Sequence, residues 1–447
     1  MESALTLSLI SHTNVGKTTL ARTLLRQDVG DTGDRAHVTD ASTSFDLIEA
    51  AGEVLRLWDT PGFGDTAKLV KRLRTSERPF GWLRSQVWDR FADRPLWCSQ
   101  EAVKNVREEA DVVLYLVNAA EDPASAGYVD LEMEVLTWIG KPVLVLLNQT
   151  GSPREPDAAD PEATMWREHL GGFAVVRGVL GLDAFTRCWV QERELFRAVA
   201  RAVDDEMKPL AGRLSEAWEA ANEKVFEESV QLLADMLAES AADRVEVSEE
   251  TLLQKFWIGR GELNREMRTA RQEMAERLAL RVKAATDRLI ALHELEGESA
   301  RRMAALGEES YSVPERANES LWSALGGVAA GATGGLAADL AHGGMTFGGG
   351  AVLGGIGGGA ASYFLAKSLN LAKGKDHSVG WTEAHLEEQM KFAVLTYLAV
   401  AHFGRGRGDW EDGETPAFWA EIVGEVVGDR GRSGVGEVLR AVLAKLY

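Results

Sequence analysis

Apolar and polar positions follow two different rhythms along the chain. Through the first 190 residues, short apolar runs alternate with segments of helical spacing. ALTLSLI (4–10), VLRLW (54–58), DVVLYLVNA (111–119), KPVLVLLNQ (141–149) and FAVVRGVLGL (173–182) read as strands. The runs at 111–119 and 141–149 are apolar almost throughout, as parallel strands covered on both faces are. Helical segments between them predict a repeating βα order. Beyond about residue 190 the strand signals stop. Residues 190–310 are dominated by Ala, Leu, Glu and Arg at helical spacing and predict long packed helices with mixed charges on an exposed face. In the tail, WTEAHLEEQMKFAVLTYLAVAHF and GVGEVLRAVLAKLY predict amphipathic helices around a polar loop, GRGRGDWEDGETP. The expected architecture is an α/β domain over 1–190, a helical region over 191–320, a glycine-rich helical hairpin over 321–370 and a C-terminal helical region over 371–447.

Composition narrows the function classes. The chain has 447 residues, Lys+Arg 49 against Asp+Glu 69, and a net charge of −20. That balance argues against nonspecific nucleic-acid binding, which needs basic side chains to displace counterions. It also argues against a purely electrostatic hold on anionic lipid. Hydrophobic residues at 45% and charged ones at 26% are ordinary globular values. Cys98 and Cys188 are too few for a disulfide framework and suit a reducing cytosol. No basic region followed by a long apolar run opens the chain, so no signal peptide is expected and the expected location is cytoplasmic.

The first apolar run leads into Ser11-His12-Thr13-Asn14-Val15-Gly16-Lys17-Thr18, and helical spacing resumes at once. Strand, GKT loop and helix form the context of a P-loop. Backbone N–H groups of the loop and helix N-terminus (Asn14, Val15, Gly16, Lys17, Thr18, Thr19) converge on phosphate oxygens, favoured by the helix dipole. Lys17 brings a point charge to the β/γ-phosphates, and the Thr18 hydroxyl is a Mg²⁺ ligand. The pattern asks for Gly where Ser11 stands. The second strand ends in Asp59-Thr60-Pro61-Gly62, where a carboxylate serves Mg²⁺ and the Gly62 amide senses a γ-phosphate.

With SHTNVGKTTL and WDTPGF on the page, residues 5–150 resemble an Era/TrmE-type P-loop GTPase domain of the translation-factor class. The resemblance implies a mostly parallel α/β P-loop NTPase fold, GTP/GDP as ligand and Mg²⁺ held by Thr18, Asp59 and a switch I threonine. Thr39 is the choice from spacing and Thr43 the alternative. It also implies a K⁺ site at Asn14 and guanine recognition by Asn148 and Gln149, and it admits a homodimer through the GTPase domain. Across most of the chain the arrangement resembles a bacterial family in which an Era-like GTPase domain precedes a helical, glycine-rich region.

Two departures matter. The family reads guanine with Asn-Lys-x-Asp, but the chain has Asn148-Gln149-Thr150-Gly151. Losing the carboxylate partner of the base costs about 1.5–3 kcal/mol, and Asp157 and Asp160 are the nearby acids that can substitute. In Ras-like enzymes a glutamine after the switch II glycine orients the attacking water. Phe63 stands there instead, so the expected GTPase is intrinsically slow, and no catalytic base is assigned. His12 and Arg35 lie in loops near the phosphates, with solvated loop residues as the bland alternative. Trp82, Trp88 and Trp97, interleaved with arginines, read either as a docking surface or as a self-packed helical insertion.

Glycine counts 45, about a tenth of the chain against a typical ~7%. Gly327, Gly331 and Gly335 recur every fourth residue, as do Gly350, Gly354 and Gly358, a glycine-zipper spacing that lets helices approach closely. Leu340 to Ala366 carries no Asp, Glu, Lys or Arg, although Asp339 and His342 lie close by. One reading is a membrane-associating hairpin, placing the chain peripherally or integrally at the cytoplasmic membrane with a membrane or membrane-protein partner. The other is a hairpin buried in a helical domain. The leading function is a nucleotide-operated switch with GTPase activity, coupled to the helical region. A nucleotide-binding scaffold with negligible hydrolysis and a membrane-perturbing effector governed by the P-loop domain are the alternatives.

Overall fold

The computed structural model describes residues 3–13, 15–26, 42–75, 93–150, 160–182, 189–247, 265–295, 371–373, 378–402, 417–430 and 433–447. The expectations for Asn14, Arg35, Thr39, Trp82, Trp88, Gly151, Asp157 and the hairpin at 321–370 lie outside them. The chain divides into two compact units, Met1–Lys224 with His402–Gly408, and Val225–Ala401 with Asp409–Tyr447.

The first unit is a sheet with helices. Strands β1 (Ser3–Ser11), β2 (Thr43–Ala50), β3 (Glu53–Asp59), β4 (Val112–Asn118), β5 (Val143–Asn148) and β6 (Val176–Gly181) lie in the order β2-β3-β1-β4-β5-β6. All pairings are parallel except β2 with β3. The apolar runs fall where they should: every residue of β5 is buried, and all of β4 except Asn118. Only β2 has no counterpart among the expected strands. It is a largely exposed edge strand with Asp46 and Glu49 in it, so its apolar signal is weak. A tight turn at Ala51 and Gly52, both at positive φ, returns it into β3 as mirror-image hairpin turns do. Thr43, the alternative switch I threonine, opens β2 directly opposite Asp59.

Helices α1 (Lys17–Leu25), α2 (Thr66–Thr75), α3 (Arg94–Glu108), α4 (Gly127–Ile139), α5 (Pro161–Leu170) and α6 (Trp189–Ala202) belong to this unit. Leu69, Val70 and Leu73 of α2, Leu96, Val103 and Val106 of α3, and Val129, Met133 and Leu136 of α4 share one core cluster with Val113, Tyr115 and Val117 of β4. Helix α7 (Lys208–Ala242) begins here as well. Arg213 grips Glu53 at the start of β3 through two hydrogen bonds of 2.6 and 2.9 Å, and Trp218 packs on Phe196 of α6.

The second unit is helical, with one addition to the all-α expectation. The later part of α7 is joined by α8 (Arg265–Leu292), α9 (Glu383–Ala401), α10 (Ala417–Arg430) and α11 (Val435–Leu446). Strands β7 (Arg244–Glu246), β8 (Leu371–Lys373) and β9 (Ser378–Trp381) form a small antiparallel sheet in the order β7-β9-β8. Strands of three or four residues are too short for a period-two pattern to register. Val379 and Trp381 pack with Val247, Ala270 and Met274. Tyr397 of α9 meets the rings of Phe226 and His293 edge-on, each at 5.7 Å. Among the described residues no helix is long and apolar enough to cross a membrane.

Asp243 closes the junction of α7 and α8. Its buried carboxylate takes Arg277 Nη2 and Arg281 Nη1, each at 2.8 Å. Burial pushes the group up, but the bonds from the two arginines outweigh it and hold the carboxyl below its ordinary value. A depressed folded-state value stabilises the fold above the ordinary Asp value of about 3.9 and is lost as pH falls through the lower one. Asp243→Asn is expected to cost the second unit about 1–2 kcal/mol at pH 7. The figure is discounted from the ~3–5 kcal/mol of a fully buried broken pair because both arginines are partly exposed. Denaturant unfolding at pH 7 and pH 3 checks both parts, with the gap between the two proteins narrowing in acid.

Candidate nucleotide site

The candidate residues gather at the carboxyl ends of β1, β3 and β5, where open α/β sheets bind ligands. The P-loop leaves β1 at Ser11 and enters α1 at Lys17 through Gly16, whose φ of 92° is left-handed. Beneath that glycine lies Asn148, from the end of β5. Its Nδ2 donates to Val15 O at 2.7 Å, and a Cβ on Gly16 would stand 2.7 Å from the same nitrogen. Asn148 therefore braces the phosphate loop, a role that its place in the base-recognition motif did not announce.

Lys17 is buried, and its ammonium donates to Ser11 Oγ at 3.0 Å. Ser11 in turn donates to His12 O. The residue that departs from the P-loop pattern thus holds the lysine. Burial pulls the Lys17 ammonium below its ordinary value, against the opposing pull of Asp59 and Glu132. Asp59 is buried too, and burial raises its carboxyl against the Thr18 hydrogen bond and the nearby Lys17 and Arg22.

Thr18 Oγ1 donates to Asp59 Oδ2 at 2.7 Å, while Asp59 Oδ1 is buried with no hydrogen-bond partner. A hydroxyl and a carboxylate with an unused oxygen are the hard donors that Mg²⁺ takes, so these residues fit that ion. Among the described residues no group of three or more His, Cys, Asp or Glu is placed to hold a metal. A magnesium held by Thr18 and Asp59 would need further oxygens from outside the protein, as from phosphate and water.

The segment after β3 lies against the loop. A Cβ on Gly62 would stand 2.9 Å from Lys17 Nζ and 3.2 Å from Thr13 Cα, so a side chain there would make the lysine or the loop backbone shift. Phe63 follows with its side chain fully buried in the core and its N–H donating to Ser11 O at 2.9 Å. Thr60 Oγ1 donates to Leu9 O at 2.8 Å, and Ser99 Oγ of α3 accepts from the N–H groups of Gly64 and Asp65. The chain from 60 to 65 is tied to β1 and α3 throughout.

His12 does not turn to the phosphate side unattached. Its Nδ1 lies 2.8 Å from Glu132 Oε1, and its ring stacks on Tyr128 at 4.2 Å. Gln149 has a φ of 55°, a left-handed conformation that costs a non-glycine residue about 1–3 kcal/mol. Asp160, one of the acids weighed as a base partner, caps α5 by accepting from Ala163 N at 2.9 Å. Sequence reasoning missed Glu132, Tyr115, Thr66 and Ser99. The available signal was position: of the three acids in VDLEMEVLTWI, Glu132 falls on the helical stripe of Val129, Met133 and Leu136, where a buried carboxylate requires partners.

A glycine-bent phosphate loop, a buried lysine and a Thr–Asp pair beside a close-packed DTPG segment define a GTP-binding P-loop GTPase domain. Residues 6–149 match the family described as 50S ribosome-binding GTPase. Residues 173–409, more than half of the chain, match the family described as a domain of unknown function (DUF3482), and the chain belongs to that family. No curated protein matches. Among solved structures, Aquifex aeolicus Era bound to GDP·AlF4⁻ is 16% identical, with 45% of this chain and 58% of that chain covered and a TM-score of 0.32. A probable GTP-binding protein engB is 14% identical over 44% of this chain and 97% of its own, with a TM-score of 0.28. Arabidopsis thaliana Toc33 in complex with Mg²⁺ and GMPPNP is 15% identical over 42% and 73%, with a TM-score of 0.27. The chain spans little more than half the length of the Era structures. These values are low, and the class rests on the family matches and the geometry of the loop.

Gly62→Ala is expected to weaken nucleotide binding by at least about tenfold, or ~1.4 kcal/mol, because Lys17 or the loop backbone must give way. Titration with mant-GTP reads the loss.

Proposed function

We propose that the chain is a GTP-binding and slowly hydrolysing molecular switch that couples nucleotide state to its helical region. The observation that carries this reading is the close approach of Gly62 to Lys17 Nζ. A γ-phosphate reached by the lysine lies beside the Gly62 amide, so its presence or loss is felt by the segment leading into α2.

In this reading the backbone N–H groups of Asn14, Val15, Gly16, Lys17, Thr18 and Thr19 bind phosphate, and Lys17 exchanges Ser11 Oγ for β/γ-phosphate oxygens. Thr18, Asp59 and Thr39 would hold Mg²⁺, which when bound neutralises charge on those oxygens. Asn148 keeps the loop in shape from below and, with Gln149, faces the base. Asn14 supplies the K⁺ site in the same scheme. Slow turnover is supported by Phe63, because a side chain shut in the core orients no water.

That buried Phe63 also favours the second reading, a nucleotide-binding scaffold with negligible hydrolysis. The periodic glycines and the charge-free stretch 340–366 support a membrane or membrane-protein partner for the helical region, with a cytoplasmic protein recruited to the membrane surface. They also support the reading in which the P-loop domain restrains a membrane-perturbing hairpin. A homodimer through the GTPase domain belongs to the same proposal.

Lys17→Ala is expected to abolish mant-GTP binding, and unchanged affinity would refute the site. Calorimetry with GTP and ATP is expected to favour GTP. Multiple-turnover phosphate release above that of the Lys17 variant, and faster in K⁺ than in Na⁺, separates the switch from the scaffold. Liposome flotation with a GTP analogue tests the membrane partner, and no binding with any nucleotide would remove it.

A further inference from the structure

Glu132 of α4 is fully buried, yet none of its hydrogen-bond partners lies on its own helix. Oε1 accepts from Thr66 Oγ1 at 3.1 Å and faces His12 Nδ1 at 2.8 Å. Oε2 accepts from Tyr115 Oη of β4 at 2.6 Å. Tyr115 is itself fully buried in the core, so Oε2 is fixed to the middle of the sheet. The other oxygen is shared between two segments, the phosphate loop and the start of α2. His12 belongs to the phosphate loop, pairs through its backbone with Phe63, and places its carbonyl 3.3 Å from where a Gly62 Cβ would be. Thr66 opens α2, the helix that follows the DTPGF segment.

A carboxylate is a costly way to fill space between a strand and two helices, where an apolar side chain of similar size would pack at no desolvation penalty. Its placement is explained by what it joins. Because Oε1 contacts both side chains, displacing either His12 or Thr66 takes a partner from a fully buried carboxyl group, and folded proteins keep such groups hydrogen-bonded. The two segments consequently favour keeping one relative position. That position sets Gly62 against Lys17, as the bonds of Thr60 and Phe63 to β1 do from the other side.

We propose that Glu132 is a positioning residue that joins the phosphate loop at His12 to the first turn of α2 at Thr66, so that the γ-phosphate is met by a preset Gly62. This rests on the nucleotide-switch reading above. The γ-phosphate is what distinguishes GTP from GDP, so the joint acts on the preference between the two and not on the shared α/β-phosphate contacts. Thr66→Val keeps the shape of the side chain and removes one arm. Glu132→Gln keeps an oxygen able to accept from His12 and Thr66, with its amide able to donate to Tyr115 Oη. Glu132→Ala removes all three bonds.

The test is the affinity of the full chain for mant-GMPPNP and for mant-GDP with Mg²⁺, alongside thermal melting of each variant. Thr66→Val is expected to lower the GMPPNP-to-GDP affinity ratio by about tenfold while GDP affinity stays within about twofold. Glu132→Ala is expected to lower the ratio at least as far, Glu132→Gln to restore most of it, and Thr66→Val added to Glu132→Ala to change it no further. Equal losses for both nucleotides, or a fall in melting temperature with an unchanged ratio, would make Glu132 purely structural and overturn the proposal. Should Glu132→Ala not fold, the ratio in Thr66→Val decides alone. An unaltered chain that binds neither nucleotide would bring down the switch reading and this coupling together, whereas an unchanged ratio in a chain that binds both brings down the coupling only.

Discussion

The buried ammonium of Lys17 constrains everything around it. Taking that charge out of water is unfavourable, and burial pulls the group toward its neutral form. What keeps it in place is a small set of neighbours: Ser11 Oγ at 3.0 Å, the nearby carboxylates of Asp59 and Glu132, and Gly62, whose missing side chain leaves the space that the ammonium needs. Asp59 is in turn raised by its own burial and is steadied by Thr18, Lys17 and Arg22. Cation and anion thus stabilise one another in a low-dielectric cleft without a direct ion pair among the described contacts. Such an arrangement leaves the positive charge under-compensated, which is the electrostatic condition for capturing a polyphosphate.

The sheet carries this cleft because its strands end together. Parallel β4 and β5 are buried along nearly their whole length and β1 over its second half, and that is why they were legible as apolar runs. Their loops, SHTNVGKT and NQ, were legible as chemistry for the same reason, since a polar motif at the end of an apolar strand has few other uses. Half-exposed β2 was not legible, because Asp46 and Glu49 break its pattern. Nor was the small sheet in which β9 pairs with neighbouring β8 and with β7, the latter more than a hundred residues away, because its strands have only three or four residues.

Within the site, the residues that sequence motifs carry were found, and the residues that hold them were not. Lys17, Thr18, Asp59 and Gly62 follow from spacing and lie together. Asn148 was expected from the base-recognition motif, and its bond to Val15 O, under the phosphate loop, is a contact that motif does not encode. Ser99 and Glu132 contact the same site from α3 and α4, 34 or more residues away in sequence from the segments they hold. Linear spacing encodes no such distance. Only the place of Glu132 on the apolar stripe of its helix, apart from Asp130 and Glu134, pointed to a partner, and the partner's identity is set by the fold.

The two departures from the GTPase pattern are neighbours in space. Ser11 replaces a glycine and Phe63 a water-orienting glutamine, and the Phe63 N–H donates to the Ser11 carbonyl. With the Phe63 ring in the core, the Ser11 hydroxyl on Lys17 and the Thr60 hydroxyl on Leu9 O, the stretch from 60 to 63 is fastened to β1 by both backbone and side chain. Gly64 and Asp65 are fastened to α3, and Thr66 to α4. A displacement of this stretch on loss of a γ-phosphate must carry those elements or break their bonds. Because each broken bond strands a buried polar group at about 1–3 kcal/mol, the inexpensive response is movement as a unit. The same fastening that keeps the Phe63 ring in the core therefore makes 60–66 a stiff stretch, tied directly to α3 and α4.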